Sequence, residues 1–330
     1  MKAFLASIGV LLFALCTGLW FQNWTESPVE NPALILTIEP GSPSSAVARQ
    51  LQDAGVTNSA MLFRILLKIQ GRETALKAGE YAFPASMAPL ELAEMVVLGR
   101  VKQYPITLRE GITIRELLAD LQAYPALSQA QPELNPEALQ EVLGLELPFA
   151  EGAFLPDTYF VEKGTSIRQL LGRAHAELLA FLEVAWSERQ SDIAISSPQE
   201  ALILASLIEK ESGLAEDRAQ ISQVFHERLR RNMRLQTDPT VIFALGAQFD
   251  GDLRRRDLKV DSPFNTYRVK GLTPTPIALP SKAAIMASVK PAAGAFLYFV
   301  ARGDGSSQFS RTLEEHNEAV YRYQLQRNTP

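Results

Sequence analysis

The stretch ITLREGITIRELLADL, Ile106 to Leu121, decides how this chain folds. A short run with strand character leads to Gly111, then to Thr113, and apolar residues follow six, seven and ten positions past the glycine at Leu117, Leu118 and Leu121. Glycine permits the positive φ of a tight turn, threonine can cap a helix, and the later spacing is that of one helix face. Upstream the pattern recurs as LTIEPGSPSSAVARQL (Leu36 to Leu51), with its turn at Gly41 and capping residues from Ser42 to Ser45. Downstream it recurs as YFVEKGTSIRQLLGRA (Tyr159 to Ala174), with Gly164 and a cap at Thr165 or Ser166. A partial fourth copy, KAGEYAFPASMAPLELAEMV, turns near Pro84 to Ser86. Repeated strand-turn-helix units predict an α+β body.

Composition sets the outer bounds. A chain of 330 residues suggests about two domains, and 47% apolar against 21% charged residues suffices for ordinary cores and excludes disorder or collagen-like repeats. The net charge of −5 argues against nucleic acid as a partner. A single cysteine, Cys16, forbids an intrachain disulfide and a thiolate-rich metal site, and His175, His226 and His316 are scattered, so neither metal nor cofactor is expected.

Ala3 to Phe21 (AFLASIGVLLFALCTGLWF) is uncharged, apolar and long enough to cross a bilayer as one helix. Lys2 precedes it and Glu26 and Glu30 follow, which favours a cytoplasmic N-terminus, with Trp20 and Trp24 at the far interface. A cleaved signal peptide is the competing reading, but its apolar region is normally shorter and ends in a small-x-small site. The expected organisation is a transmembrane anchor over 1–25, a short proline-bearing linker over 26–33, and a folded body beyond.

The most informative chemistry lies in the last third. Ser197-Pro198-Gln199-Glu200 combines an N-cap serine, a proline at the first helical position and a glutamate at the third, which predicts a capping box and a helix start. ALILASLI (Ala201 to Ile208) is apolar on all sides, as in a buried central helix, and Gly213 supplies a stop. Glu209, Lys210, Glu211 and Ser212 fall in the last turn, where acidic groups oppose the helix dipole. Glu211 continues the stripe Leu204, Leu207, Ile208, whereas Glu209 continues Leu202, Ala205, Ser206. A carboxyl group emerging from an aliphatic stripe is desolvated and holds its proton near neutrality, as a general acid must.

Three segments, ASLIEKES (Ala205 to Ser212), VFHERLRRNMRLQTDPTV (Val224 to Val241) and FNTYRVKGLTPTPIALPS (Phe264 to Ser281), resemble the YceG-like endolytic murein transglycosylases. EGAFLPDTYF (Glu151 to Phe160), FLYFVARGDG (Phe296 to Gly305) and FSRTLEEHN (Phe309 to Asn317) extend the resemblance over nearly the whole chain after the anchor. It implies a LysM-like peptidoglycan-binding subdomain over 34–104 and a catalytic domain over 105–330, with its core at 196–330. The implied reaction is non-hydrolytic cleavage of the β-1,4 bond between N-acetylmuramic acid and N-acetylglucosamine, leaving a 1,6-anhydromuramoyl end. The implied partners are peptidoglycan strands, the bacterial cytoplasmic membrane and peptidoglycan synthases. Two other readings stay open: a non-catalytic peptidoglycan-binding scaffold, and a hydrolytic muramidase, which would need a second carboxylate.

Within this resemblance Glu211, followed by Ser212, is the expected acid and Glu209 its alternative. Gln236 and Thr237, just before a helix start at Asp238-Pro239, and Asn265 and Tyr267, after the turn at Ser262-Pro263, are the expected substrate-binding residues together with Ser212. Asp157 reads as a turn former before Thr158. The arginines at 228, 230, 231, 234 and 254–256 form basic clusters suited to the carboxylates of peptidoglycan, or solvated helix faces paired to nearby acids. GLTP at Gly271 to Pro274 departs from the family's GLPP-like loop.

Overall fold

The structure, a computed structural model, describes residues 2–31, 33–128, 134–211 and 213–325. It divides into two compact units, one of residues 1–104 with 160–164 and the other of 105–159 with 165–330. Mixed α+β architecture holds in both.

The first unit begins with helix α1 (Lys2–Glu26), whose stretch Phe4–Glu26 is long enough to cross a membrane and contains an 18-residue window with a mean hydropathy of 2.2. Strands β1 (Val29–Glu30) and β2 (Leu34–Ile38), helices α2 (Ser44–Asp53) and α3 (Ala60–Ile69), strands β3 (Gly79–Phe83) and β4 (Ser86–Met87), and helix α4 (Pro89–Leu98) follow. β2 pairs antiparallel with β3, Leu36 opposite Tyr81, while β1 pairs with β4, Val29 opposite Met87. Between α1 and β2, Val29 and Glu30 form a strand and Asn31 is buried, as is Thr25 in the last turn of α1. The last turn of α1 is also part of this unit, since Trp24 is buried in its core and Phe21 packs beside it. Segment 160–164 is tied in by Lys163, whose ammonium donates to the buried Glu80 carboxylate at 2.6 Å.

The second unit carries β5 (Tyr104–Thr107), which begins on the last residue of the first unit, then α5 (Ile114–Gln122), α6 (Leu139–Leu143), β6 (Thr158–Val161), whose last two residues belong to the first unit, and α7 (Ile167–Ser187). Helices α8 (Pro198–Glu211), α9 (Arg218–Arg230), α10 (Asp238–Leu245) and α11 (Lys282–Val289) follow, then the hairpin of β7 (Tyr298–Ala301) and β8 (Ser307–Ser310) and helix α12 (Leu313–Val320).

The repeats read from the sequence have a structural counterpart. Gly41, Gly111 and Gly164 take φ of 78°, 70° and 85°, and the nine apolar residues that follow them at the shared spacing are all buried. Thr113 and Ser166 form capping boxes with Glu116 and Gln169. In the first copy the N-cap is Pro43, with no side-chain cap.

Helix α8 starts as its sequence predicts, with the Ser197 hydroxyl accepting from the Glu200 amide at 3.1 Å. The Glu200 carboxylate, however, accepts from Ser196, at 2.6 Å from its amide, rather than closing the box on Ser197. Every residue from Ala201 to Ile208 is buried, and α8 packs against α7, α9, α10 and α11. Each of Leu202, Leu204, Leu207 and Ile208 contributes roughly 2 kcal/mol by leaving water.

A tight crossing supports this packing. A Cβ on Gly152, at φ 72°, would stand 2.5 Å from Pro276 Cβ and 3.1 Å from the Ala278 carbonyl oxygen. Gly152→Ala is accordingly expected to destabilise the protein by more than about 2 kcal/mol, as clash and positive φ act together. Thermal unfolding with an unchanged midpoint would contradict that contact.

Candidate active site

The last turn of α8 sends its two glutamates to different places, as the helical spacing requires. Glu209 points to the start of α11, where its carboxylate accepts from the Ser281 amide at 3.0 Å and from the Ser281 hydroxyl. Its other oxygen faces the Arg218 guanidinium at 3.5 Å. With both oxygens engaged and 7% of the side chain exposed, Glu209 is a strut between α8, α9 and α11. Lys210, between the glutamates, donates to the Gly111 carbonyl at 2.9 Å, which fastens the second repeat's turn to the end of α8.

Glu211 points instead toward the start of α10. Its carboxyl accepts from the Thr237 hydroxyl, and burial pushes its pKa up to about 7. The Thr237 bond and the positive charge of Arg228 oppose that rise, while the nearby charge of Asp238 adds to it. A carboxyl group poised near neutrality can both give and recover a proton at working pH.

Thr237 is held in place by neighbours from two segments. Its amide donates to the Thr266 hydroxyl at 3.0 Å, the Thr240 and Thr266 hydroxyls meet at 2.8 Å, and Thr240 also donates to the Thr237 carbonyl at 2.7 Å. The helix start falls one residue earlier than the sequence suggested: Thr237 is the N-cap of α10 and Pro239 lies in its first turn. Thr237 makes no side-chain cap, because its hydroxyl is turned to Glu211. Thr237→Val is expected to slow cleavage about tenfold and to move the alkaline limb of the pH–rate profile upward by as much as about one unit, since a bond favouring the carboxylate is lost. An unmoved limb would separate Thr237 from the acid.

The remaining expected residues divide. Gln236 is exposed beside this pair, at φ 52°, a conformation rare for a side-chain-bearing residue. Its amide N–H is bonded to the Thr266 carbonyl at 3.2 Å, which leaves the side chain directed by a constrained backbone. Tyr267 is half-buried, and its hydroxyl donates to Asp238 at 2.5 Å. Asn265 faces inward. It is 0% exposed, its NH₂ donates to the Leu258 and Val260 carbonyls at 3.0 and 2.8 Å, and its oxygen accepts from the Tyr267 amide. Both of its N–H groups and one acceptor position of its oxygen go to the loop that carries Thr266 and Tyr267, so it holds that loop in shape. Ser212 lies outside the described residues.

Two residues here escaped the sequence reading. Arg228 belongs to the basic cluster by sequence, yet only 7% of it is exposed; its guanidinium donates to the Leu297 carbonyl at 2.7 Å and the Leu235 carbonyl at 2.5 Å. It lies over the Tyr298 ring, on which His316 also stacks at 5.2 Å. A signal was present, since Ile221, Val224, Phe225 and Arg228 share one helix face. Arg230, Arg231 and Arg254, by contrast, are surface partners of Glu227 and Asp250. Asp238, read as a helix cap, is instead a second carboxylate acting on Glu211 through its charge, and nothing in its local sequence announces that.

The chain matches the YceG-like family over residues 36–322, most of its length. It belongs to that family. Among YceG-like relatives, the endolytic murein transglycosylase of Bacillus subtilis (strain 168) is 32% identical over 311 residues, 89% of this chain and 85% of the relative. The endolytic murein transglycosylase of Streptococcus pneumoniae serotype 2 (strain D39 / NCTC 7466) is 30% identical over 97% of this chain, which spans 65% of that relative's length. A crystal structure of a YceG-like protein from Listeria monocytogenes superposes with a TM-score of 0.54 at 28% identity, covering 87% of this chain and 99% of the other.

Proposed function

We propose that this protein is a murein lytic transglycosylase that cuts the β-1,4 bond between N-acetylmuramic acid and N-acetylglucosamine inside nascent glycan strands. The observation that carries the reading is the half-buried Glu211 carboxyl at the end of α8, its pKa pushed up to about 7 by desolvation, beside the Thr237 hydroxyl. Glu211 protonates the glycosidic oxygen as the C1–O bond breaks and the leaving sugar departs. As carboxylate it then takes the proton from the muramoyl C6 hydroxyl, whose oxygen bonds to C1 to close the 1,6-anhydro ring. Proton and oxygen balance without water, and Glu211 ends as it began. Exposed Gln236 and the half-buried Tyr267 ring are the sugar-facing groups of this reading.

Residues 34–104 fit a LysM-like peptidoglycan-binding subdomain, because β2, α2, α3 and β3 run strand-helix-helix-strand and the two strands pair antiparallel. Residues 105–330 are the catalytic domain in this reading, with α8 as its buried central helix. The apolar α1 suits a single-pass anchor in the cytoplasmic membrane, with Lys2 inside, Glu26 and Glu30 outside and the body extracytoplasmic. An anchored enzyme meets strands as they are polymerised, which suits a terminase working beside peptidoglycan synthases.

One observation favours a second reading. Asp238, gripped by Tyr267, sits within electrostatic range of Glu211, and an acid–carboxylate pair can activate water and hydrolyse the bond. Mass spectrometry of uncrosslinked strands digested by the protein separates the two. Products one water lighter than the hydrolytic ones support the lyase, products ending in a reducing sugar support the muramidase, and no cleavage leaves a binding scaffold.

A further inference from the structure

Helix α3 carries an exposed face that its fold does not explain. Met61, Ile65 and Ile69 are 67%, 38% and 70% exposed and lie one helical turn apart in a single line. Scattered exposed apolar residues are normal, but three aligned on one short helix are a surface feature. The opposite side of α3, with Ala60, Phe63, Leu66 and Leu67, fills the core of the first unit, so the line is additional to the helix's packing.

Basic residues border this line. Arg64 and Lys68 are exposed on α3 and Arg72 follows just beyond its end, and none of the three has a carboxylate partner among the described residues. At 3.6 residues per turn, Arg64, Lys68, Met61, Ile65 and Ile69 share an arc of about 140°. In a protein of net charge −5, an unneutralised basic edge beside an apolar line is the pattern of a helix lying in an anionic lipid interface.

The anchor helix holds the start of α3 close to its own last turn. Trp24 in the last turn of α1 donates from its indole to Asn58 Oδ1 at 2.7 Å, and Asn58 directly precedes Ser59, the N-cap of α3. Trp20, one turn earlier and about 6 Å back along the axis, is 59% exposed and marks the apolar end of the span. With the hydrocarbon edge placed at Trp20, the start of α3 falls about one helical turn beyond it, at the depth of the headgroup layer.

We infer that α3 docks on the outer surface of the membrane that α1 spans, with Met61, Ile65 and Ile69 entering the headgroup–acyl boundary and Arg64, Lys68 and Arg72 binding lipid phosphates. The inference rests on reading α1 as a membrane anchor. Docking adds a second membrane contact to a first unit that already packs against the last turn of α1.

The test uses the full chain in vesicles of phosphatidylethanolamine and phosphatidylglycerol containing brominated acyl chains. The sole cysteine, Cys16, is exposed on α1, so a fluorophore there reports whether the anchor is inserted. In a Cys16→Ala background the same label is placed by Met61→Cys, Ile65→Cys, Ile69→Cys and, as a water-facing control on α2, Arg49→Cys. Lipid quenching of about twofold or more at 61, 65 and 69 but not at 49 is expected. Arg64→Glu with Lys68→Glu should weaken the docked state about fivefold per residue, and only in anionic vesicles. Quenching at 16 with none at 61, 65 and 69, or at 61 alone, overturns the docking while leaving the anchor intact. Labels shielded from water without lipid quenching would assign the face to a second copy of the chain and also overturn it. No quenching at 16 removes the anchor and the docking together.

Discussion

Glu211→Gln is expected to reduce strand cleavage by at least about 10³-fold while making the protein more stable. The rate loss follows from one carboxyl serving as acid and then as base, so that an amide removes both steps at once. The stability gain follows from linkage. Burial raises the folded-state pKa of Glu211 from 4.5 to about 7, so the fold favours the protonated form and resists the ionised one. Below pH 4.5 both folded and unfolded chains carry the proton, and the glutamate is not penalised. As pH rises toward 7 the unfolded chain has released its proton and the folded one has not, so stability falls, then levels off above the folded pKa. Glutamine removes that penalty, so the gap between the two proteins opens to roughly 3 kcal/mol above pH 7 and closes in acid. Glu151, pushed up to about 7 by burial where it accepts from the Ile114 amide, is present in both proteins and cancels. Thermal unfolding from pH 4 to 8 checks the sign. A glutamine variant that is inactive but less stable at pH 8 would mean that Glu211 is a structural residue.

Glu209→Gln should do the reverse. Loss of its charge leaves the Arg218 guanidinium, already with an unpartnered buried Nε, without its counter-ion, and weakens the grip on the Ser281 cap of α11. A destabilisation of about 2–3 kcal/mol is expected, with cleavage per folded molecule kept within about tenfold. The pair is read by measuring unfolding midpoint and cleavage rate on both variants. If Glu209→Gln alone abolishes cleavage at an unchanged midpoint, the acid lies two residues earlier on α8.

Much of this was legible without coordinates. The glycine-anchored repeats give buried residues at Leu117, Leu118 and Leu121 and in both other copies because a helix face has a fixed period and a left-handed turn strongly favours glycine. The helix from Pro198 to Glu211, its serine cap and the different directions of Glu209 and Glu211 follow from the same local geometry. Those features depend on neighbours within a few residues. The use of each polar group does not. Asn265 reads as an amide free to bind sugar, and the fold wraps the 258–267 loop around it and engages both its N–H groups and its oxygen. Arg228 looks like a surface cation until β7 and the 235 segment close over it. Glu211 meets Thr237 across 26 positions only because the end of α8 abuts the start of α10. The sequence by itself thus determined the helices of the glycine-anchored repeats, their buried faces and which carboxylates end α8, because periodicity and capping are local. Tertiary structure alone decided which carboxylate meets the Thr237 hydroxyl and which is tied to Ser281 and Arg218, because hydrogen-bond partners are set by segments distant in the chain.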